Sequence, residues 1–275
     1  MKRWNLGCLL AAVVALSACG GGSTLPTPEP RAEEDALRED IERLLELRDV
    51  EGVLAARSRA FTRRVAIMMG DPSDSELERL VPAVVDAFAY DSLYADVVAY
   101  MSQEGTPELA ASALEWMEDG ATAAVRRIGE EYEPAQTLEE YSNEMTDELP
   151  SEERVHLISD WVEARGEGEF FVLMQEALRE AAFRVRRAFR PDAPTFEPLS
   201  GEELEMARVN SHGASVIRLM HGYAPAPDQL IRRVTAEYES EAGRWFTEAY
   251  AMGVASAIRA AGERATRRLS GRDGR

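Results

Sequence analysis

Three histidines carry the side chains best suited to metal coordination or proton transfer in this chain: His156, His212 and His221. A zinc site needs ligands that converge, as two histidines four residues apart do on one face of a helix. His212 and His221 are nine residues apart, which places them on opposite faces of a continuous helix at about 100° per residue. We therefore predict no metal site and no cofactor.

Serines near these histidines do not make a better case for catalysis. Ser211 and Ser215 flank His212, but no Gly-x-Ser-x-Gly elbow accompanies them. The surrounding sequence predicts a helix, whereas that elbow joins a strand to a helix. We predict no catalytic residue and expect that the protein is not an enzyme.

The best-defined chemical motif lies at the N-terminus. A positive segment with Lys2 and Arg3 precedes an apolar run over residues 6–16. That run is too short to span a bilayer comfortably, because a spanning helix needs about 20 apolar residues. It ends in Leu-Ser-Ala-Cys-Gly at residues 16–20, where small residues can enter a peptidase groove and only the thiol of Cys19 can form a thioether. This order of features is typical of a signal segment.

Residues 16–20 resemble the lipobox of bacterial lipoproteins. The resemblance implies that residues 1–18 are a signal peptide, that Cys19 receives diacylglyceryl on its thiol, and that its new amino group is acylated. Each buried methylene contributes about 0.8 kcal/mol of membrane affinity, so several acyl chains would anchor the protein in the cell envelope. In lipoproteins whose sorting rule is known, Asp after the cysteine retains the protein in the inner membrane. Gly20 therefore favours the outer membrane, with the body facing the periplasm.

The composition of residues 19–30 predicts a flexible tether. They hold three glycines and three prolines and show no apolar periodicity. The Gly-Ser part should be flexible and the Pro part extended, so the segment would reach about 30 Å at roughly 3 Å per residue.

The charge of the chain excludes one class of partner. The formal net charge is −19, and removal of residues 1–18 with Lys2 and Arg3 makes it −21. Such a body repels nucleic acid and anionic headgroups, so we predict no nucleic-acid binding. Its contact with the membrane would be the lipid on Cys19, and its protein partner an envelope protein that the sequence does not identify.

Helix signals dominate the rest of the chain, and strand signals are absent. Ser73-x-x-Glu76 and Ser200-x-x-Glu203 are capping boxes, and Thr106-Pro107 is a typical helix start. Apolar residues recur at three- and four-residue steps, which predicts an all-α multi-helix bundle. Two predicted faces are Leu77, Leu80, Val81, Val84, Val85 and Phe88 after the first box, and Ile231, Val234, Tyr238, Ala242, Trp245, Ala249 and Met252 along one long final helix.

Weak internal sequence similarity can be interpreted as two tandem helical units, residues 31–149 and 150–270. Residues 43–52 are loosely similar to 158–168, and residues 100–109 to 221–230. A duplicated unit with changes in loop length would produce these offsets. Chance similarity between two amphipathic helical arrays is an equal alternative.

Tyr238-Glu-Ser240-Glu-Ala-Gly243-Arg244, followed by Trp245, resembles the Tyr-x-Ser-x-x-Gly-basic motif of an uncharacterised family of exported bacterial helical domains. The resemblance implies an all-helical envelope domain without a known activity. We interpret the motif as a device for helix packing, and a binding signature is the alternative. A glycine inside a helix costs about 1 kcal/mol relative to alanine, so Gly243 requires a close neighbouring helix or a kink.

Two classes of function remain. The first is an envelope-anchored, non-enzymatic protein-interaction or structural module. The second is a helical binder or carrier of an apolar small molecule or lipid. Its expected lining is Trp161, Phe170, Phe171, Trp245 and Phe246.

Overall fold

The computed structural model describes residues 30–70, 72–144 and 150–271, which form twelve α-helices and no strand. The predicted all-α fold is confirmed. The helices are α1 (Pro30–Leu47), α2 (Val50–Met69), α3 (Asp74–Ala87), α4 (Tyr90–Glu104), α5 (Pro107–Asp119), α6 (Ala121–Glu131), α7 (Leu138–Glu144), α8 (Glu152–Ala164), α9 (Glu167–Phe189), α10 (Gly201–Gly222), α11 (Asp228–Glu239) and α12 (Glu241–Leu269).

The N-terminal predictions lie almost wholly outside the described residues. These are the signal peptide, the lipidated Cys19 and the tether, except that Pro30 already begins α1. Among the described residues, no helix is long and apolar enough to cross a membrane.

The predicted helix starts are confirmed. At the start of α3, the Ser73 N–H donates to Glu76 Oε2 over 2.8 Å, and the Glu76 N–H donates back to Ser73 Oγ over 3.4 Å. Ser200 and Glu203 make the same reciprocal pair before α10, over 2.8 and 3.3 Å. Thr106 caps α5. These bonds satisfy N–H groups that have no partner within the helix.

The predicted apolar face of α3 is wrong at two positions. Val81 and Val85 are 41% and 51% exposed, whereas Leu80, Val84 and Phe88 are buried. Consecutive helical residues diverge by about 100°, so the side of α3 that buries Leu80, Val84 and Phe88 cannot also bury Val81 and Val85. Ala83 and Ala87 are buried in the core in place of the two valines.

The prediction of one long final helix is also wrong, because the helix is interrupted at Ser240. This residue has an extended backbone that ends α11 and begins α12. The break changes the helical phase, so one stripe does not run through both segments. Tyr238 is buried and Trp245 is partly buried, while Met252 is 39% exposed.

Helix α12 lies against α3, α4, α5 and α9 and forms the centre of the body. Small residues allow this close packing: a Cβ on Gly262 would lie 2.6 Å from the Ala181 Cβ of α9. Arg264 fastens the far end of α12, with Nη1 2.6 Å from Asp96 Oδ2 and Nη2 3.1 Å from the Ala87 carbonyl oxygen. Helices of both predicted units therefore share one core.

Helix junctions at similar offsets occur in both predicted units. Asp49, between α1 and α2, and Gly166, between α8 and α9, both have left-handed backbones, with φ of 53° and 60°. Short breaks likewise separate α5 from α6 at Gly120 and α11 from α12 at Ser240. The duplication stays one interpretation and chance similarity the other, and residues 145–149 at the predicted boundary lie outside the described part of the chain.

Candidate functional site

The Tyr238–Trp245 motif forms the tight corner between α11 and α12. Ser240 Oγ accepts a hydrogen bond from the Gly243 N–H over 3.0 Å and donates to the Glu237 carbonyl oxygen over 2.7 Å. A Cβ on Gly243 would lie 2.3 Å from that Glu237 oxygen and 2.5 Å from the Tyr238 oxygen. The corner therefore leaves no room for a side chain at residue 243.

Tyr238 and Trp245 connect this corner to the rest of the body, and Arg244 makes a contact within the corner. The buried ring of Tyr238 packs edge-on against Trp116, with ring centroids 5.0 Å apart. Trp245 Nε1 donates to the Glu104 carbonyl oxygen over 3.0 Å, and Arg244 Nη1 donates to the Glu239 carbonyl oxygen. These contacts support the packing interpretation of the motif. The family resemblance itself stays a prediction.

Glu237 is a structural residue of the corner that the sequence did not reveal. Its carboxylate accepts from the Ala121 N–H (2.6 Å), the Thr122 N–H (2.7 Å) and the Thr122 hydroxyl (2.8 Å). It thereby caps α6, whose own cap residue, Gly120, has no side chain to do so. The two partners are more than a hundred residues apart in sequence, so no local pattern could indicate this contact.

A groove of about 940 Å³ lies beside the corner, between α8, α9, α11 and α12. Its apolar lining includes Leu157, Leu173, Ala251 and the partly exposed Met252. Tyr238 and Arg244 of the motif also face it. Its charged side chains are Asp160, Glu163, Glu169, Glu239 and Glu248, against Arg232 and Arg244.

The acidic character of this groove is only partly neutralised. Glu169 pairs with Arg208 over 2.7 Å, whereas Arg232 pairs with a carboxylate outside the groove. Among the described residues, the other four acids of the groove form no ion pair. An apolar surface edged by unpaired carboxylates favours a ligand that is itself apolar and positively charged.

The histidines do not converge. His212 Nε2 lies 2.8 Å from Ser159 Oγ of α8, and His221 Nε2 donates to the Gln136 carbonyl oxygen over 2.8 Å. His156 is exposed on α8. The described residues contain no group of three potential metal ligands. The hydroxyl beside His212 is thus that of Ser159 on α8 and not that of Ser211 or Ser215.

The five aromatic residues expected to line an apolar cavity are not brought together, and that prediction is wrong. Phe170 and Phe171 line one cavity of about 450 Å³, and Trp161 lines another of about 490 Å³. Phe246 is enclosed in the core, and Trp245 covers Gly105. The two cavities also have arginines in their walls, so neither is an apolar lipid pocket.

No protein-family model, curated protein or solved structure matches this chain.

Proposed function

We propose that this protein is an envelope lipoprotein, anchored through Cys19, whose helical body is a non-enzymatic protein-interaction module. The groove between α8, α9, α11 and α12 would bind a basic, amphipathic segment of another envelope protein. The proposal is carried by the combination, in one groove, of an apolar lining with four carboxylates that form no ion pair among the described residues.

A basic amphipathic helix would satisfy both features of the groove. Its apolar residues, spaced by three and four, would cover Leu173 and Met252, and its lysines or arginines would meet Glu163 and Glu248. The net charge of −19 would attract such a segment over long range and repel acidic ones. The separated aromatic residues give less support to a carrier of apolar molecules.

Charge reversal in the groove tests the interaction. A fluorescent Leu-Lys amphipathic peptide should bind the purified full-length chain, and a Leu-Glu peptide of the same pattern should not. The double variant Glu163→Lys with Glu248→Lys should weaken binding by about tenfold, which corresponds to 1.4 kcal/mol. Fluorescence anisotropy at physiological salt measures the dissociation constant.

The matched control is Glu78→Lys with Glu115→Lys, two exposed acids outside the groove. It changes the net charge equally and should alter peptide affinity by less than about twofold, because screening weakens charges more than a Debye length away. An equal loss in both double variants would show that only net charge matters, and the groove would then not be the docking site.

Replacement of the lipobox cysteine tests the anchor. Cys19→Ala should move the protein from the membrane fraction to the soluble fraction, because no other residue of the motif offers a thiol. Cys8→Ala changes the only other cysteine, in the apolar run, and should leave the protein in the membrane fraction. If Cys19→Ala fractionates like wild type, the protein is not held by a lipid on this residue.

A further inference from the structure

Three arginines surround a single buried carboxylate between the two halves of the body. Arg165 Nη2 lies 2.9 Å from Glu167 Oε1, and Arg218 Nη2 contacts Glu167 Oε2. Arg48 lines the same cavity as these residues. The cluster carries two positive charges in excess, inside a chain whose net charge is −19.

Glu167 and the three arginines are all charged at neutral pH, so the cluster keeps its excess of positive charge. Burial by itself raises the pKa of Glu167, but the Arg165, Arg48 and Arg218 guanidiniums outweigh it and leave that pKa below its usual value. Glu167 is therefore ionised. The arginines remain protonated, because a guanidinium does not titrate in the physiological range.

Among the described residues, Arg48 and Arg165 have more N–H groups than hydrogen-bond partners, although Arg165 is paired with Glu167. Within this part of the chain, Arg48 makes one long hydrogen bond, from Nη1 to the Tyr238 hydroxyl over 3.5 Å. Arg165 Nε is buried without a partner. One carboxylate therefore faces three guanidiniums, and an anion beside Arg48 and Arg165 would accept hydrogen bonds from N–H groups that Glu167 does not use.

The cavity beside the cluster has room for such an anion and for an attached ring. It measures about 450 Å³, and Phe170 and Tyr250 stack in its wall with ring centroids 5.2 Å apart. A second cavity of about 490 Å³ shares Arg48 and Arg165 with it. The second cavity also has Glu46, Asp49 and Glu130 in its wall, so the anion is assigned to the first cavity, where Glu167 is the acid of the described lining and aromatic rings supply apolar surface.

The two central arginines come from equivalent positions. Arg48 directly precedes the left-handed Asp49 at the start of α2, and Arg165 directly precedes the left-handed Gly166 at the start of α9. Both junctions turn their arginine toward the shared cavities. The excess charge thus arises from packing the two junctions face to face.

We propose that this cluster binds a small organic anion, a carboxylate or phosphate ester that carries a flat apolar part. The anionic group lies against Arg48 and Arg165, and the apolar part lies against Phe170 and Tyr250. Arg218 supplies a third positive charge at the rim. This site is separate from the acidic groove and does not depend on it.

Binding of defined probes to the purified full-length chain tests the proposal. Phenyl phosphate, benzoate or both should bind saturably in calorimetry, with dissociation constants below about 1 mM, equivalent to about −4 kcal/mol. Benzyl alcohol, which lacks the charge, should not bind. Comparison of the two anions identifies whether a phosphate or a carboxylate is preferred.

Inorganic phosphate tests the aromatic part of the site. It should bind at least about tenfold more weakly than the ring-bearing anions, and equal binding would show that the rings do not contribute.

Single-arginine variants locate the binding. Arg48→Gln and Arg218→Gln should each weaken the better probe by at least about tenfold. Arg208→Gln, on the same helix as Arg218 and paired with a different carboxylate, should change its affinity by less than about twofold. Should Arg48→Gln fail to fold, the half-exposed Arg218 still permits the test.

Thermal unfolding without a probe separates binding from a purely structural role. Arg48→Gln should lower the melting temperature of the free protein only slightly, because Arg48 makes one long hydrogen bond to Tyr238 and attracts Glu167 without direct contact. The proposal fails if neither anion binds wild type saturably, if Arg208→Gln loses as much affinity as Arg218→Gln, or if Arg48→Gln unfolds at a much lower temperature and binds the probe normally.

Discussion

Gly243→Leu is expected to prevent folding of the body or to destabilise it by at least about 3 kcal/mol. The first side-chain atom would meet the carbonyl oxygens of Glu237 and Tyr238 at 2.3 and 2.5 Å. These are backbone atoms at the end of α11, which cannot move aside as a flexible side chain would. Opening the corner would also lengthen the Ser240–Gly243 hydrogen bond that starts α12, the helix around which the core is built.

Thermal unfolding followed by far-ultraviolet circular dichroism measures this effect. A loss of about 3 kcal/mol lowers the melting temperature by roughly 6–12 °C in a domain of this size. Gly213→Leu is the control, because Gly213 lies inside α10 with no atom within 4 Å of an added Cβ. It should raise stability by up to about 1 kcal/mol through helix propensity. If the two variants melt alike, the corner is not tight and a surface role of the motif becomes the better explanation.

Glu237→Gln is expected to lower the free energy of unfolding by about 2 kcal/mol. The carboxylate oxygens accept three hydrogen bonds from Ala121 and Thr122. The amide has the same shape, but it has one oxygen, and its NH₂ group would face an N–H donor of α6. The change also removes a negative charge from the positive end of that helix.

Chemical denaturation of both the variant and Glu239→Gln provides the comparison. Glu239 is exposed on the same helix and forms no ion pair among the described residues, so its replacement should change stability by less than about 0.5 kcal/mol. Equal midpoints for the two variants would mean that the Glu237 contact contributes nothing to the joint between α6 and α11.

The starts of several helices were determined by the sequence alone. Ser73, Thr106 and Ser200 each cap a helix through atoms three residues away, so the whole interaction lies within one stretch of four residues. The all-α fold followed for the same reason, because apolar spacing and caps are local. The predicted lipobox is likewise a linear motif, and the lipidation of Cys19 stays a prediction that the fractionation experiment tests.

The corner at Ser240 shows where local patterns were insufficient. Apolar residues at steps of three and four continue on both sides of it, so they indicated one long helix. A capping box would have marked the break, but the residue three positions after Ser240 is Gly243, which has no side chain to complete one. Only the packed structure shows that Gly243 is required by the close approach of α11.

Both candidate sites were decided by tertiary structure. The acidic groove takes side chains from α8, α9, α11 and α12, each of which alone is an ordinary amphipathic helix. Arg48 and Arg165 are 117 residues apart, and each by itself resembles a solvated arginine at the end of a helix. Their excess charge exists only because long-range packing brings Arg48 to the cavity that Arg165 and Glu167 line. Burial and charge density depend on which helices meet, and a local sequence pattern does not contain that information.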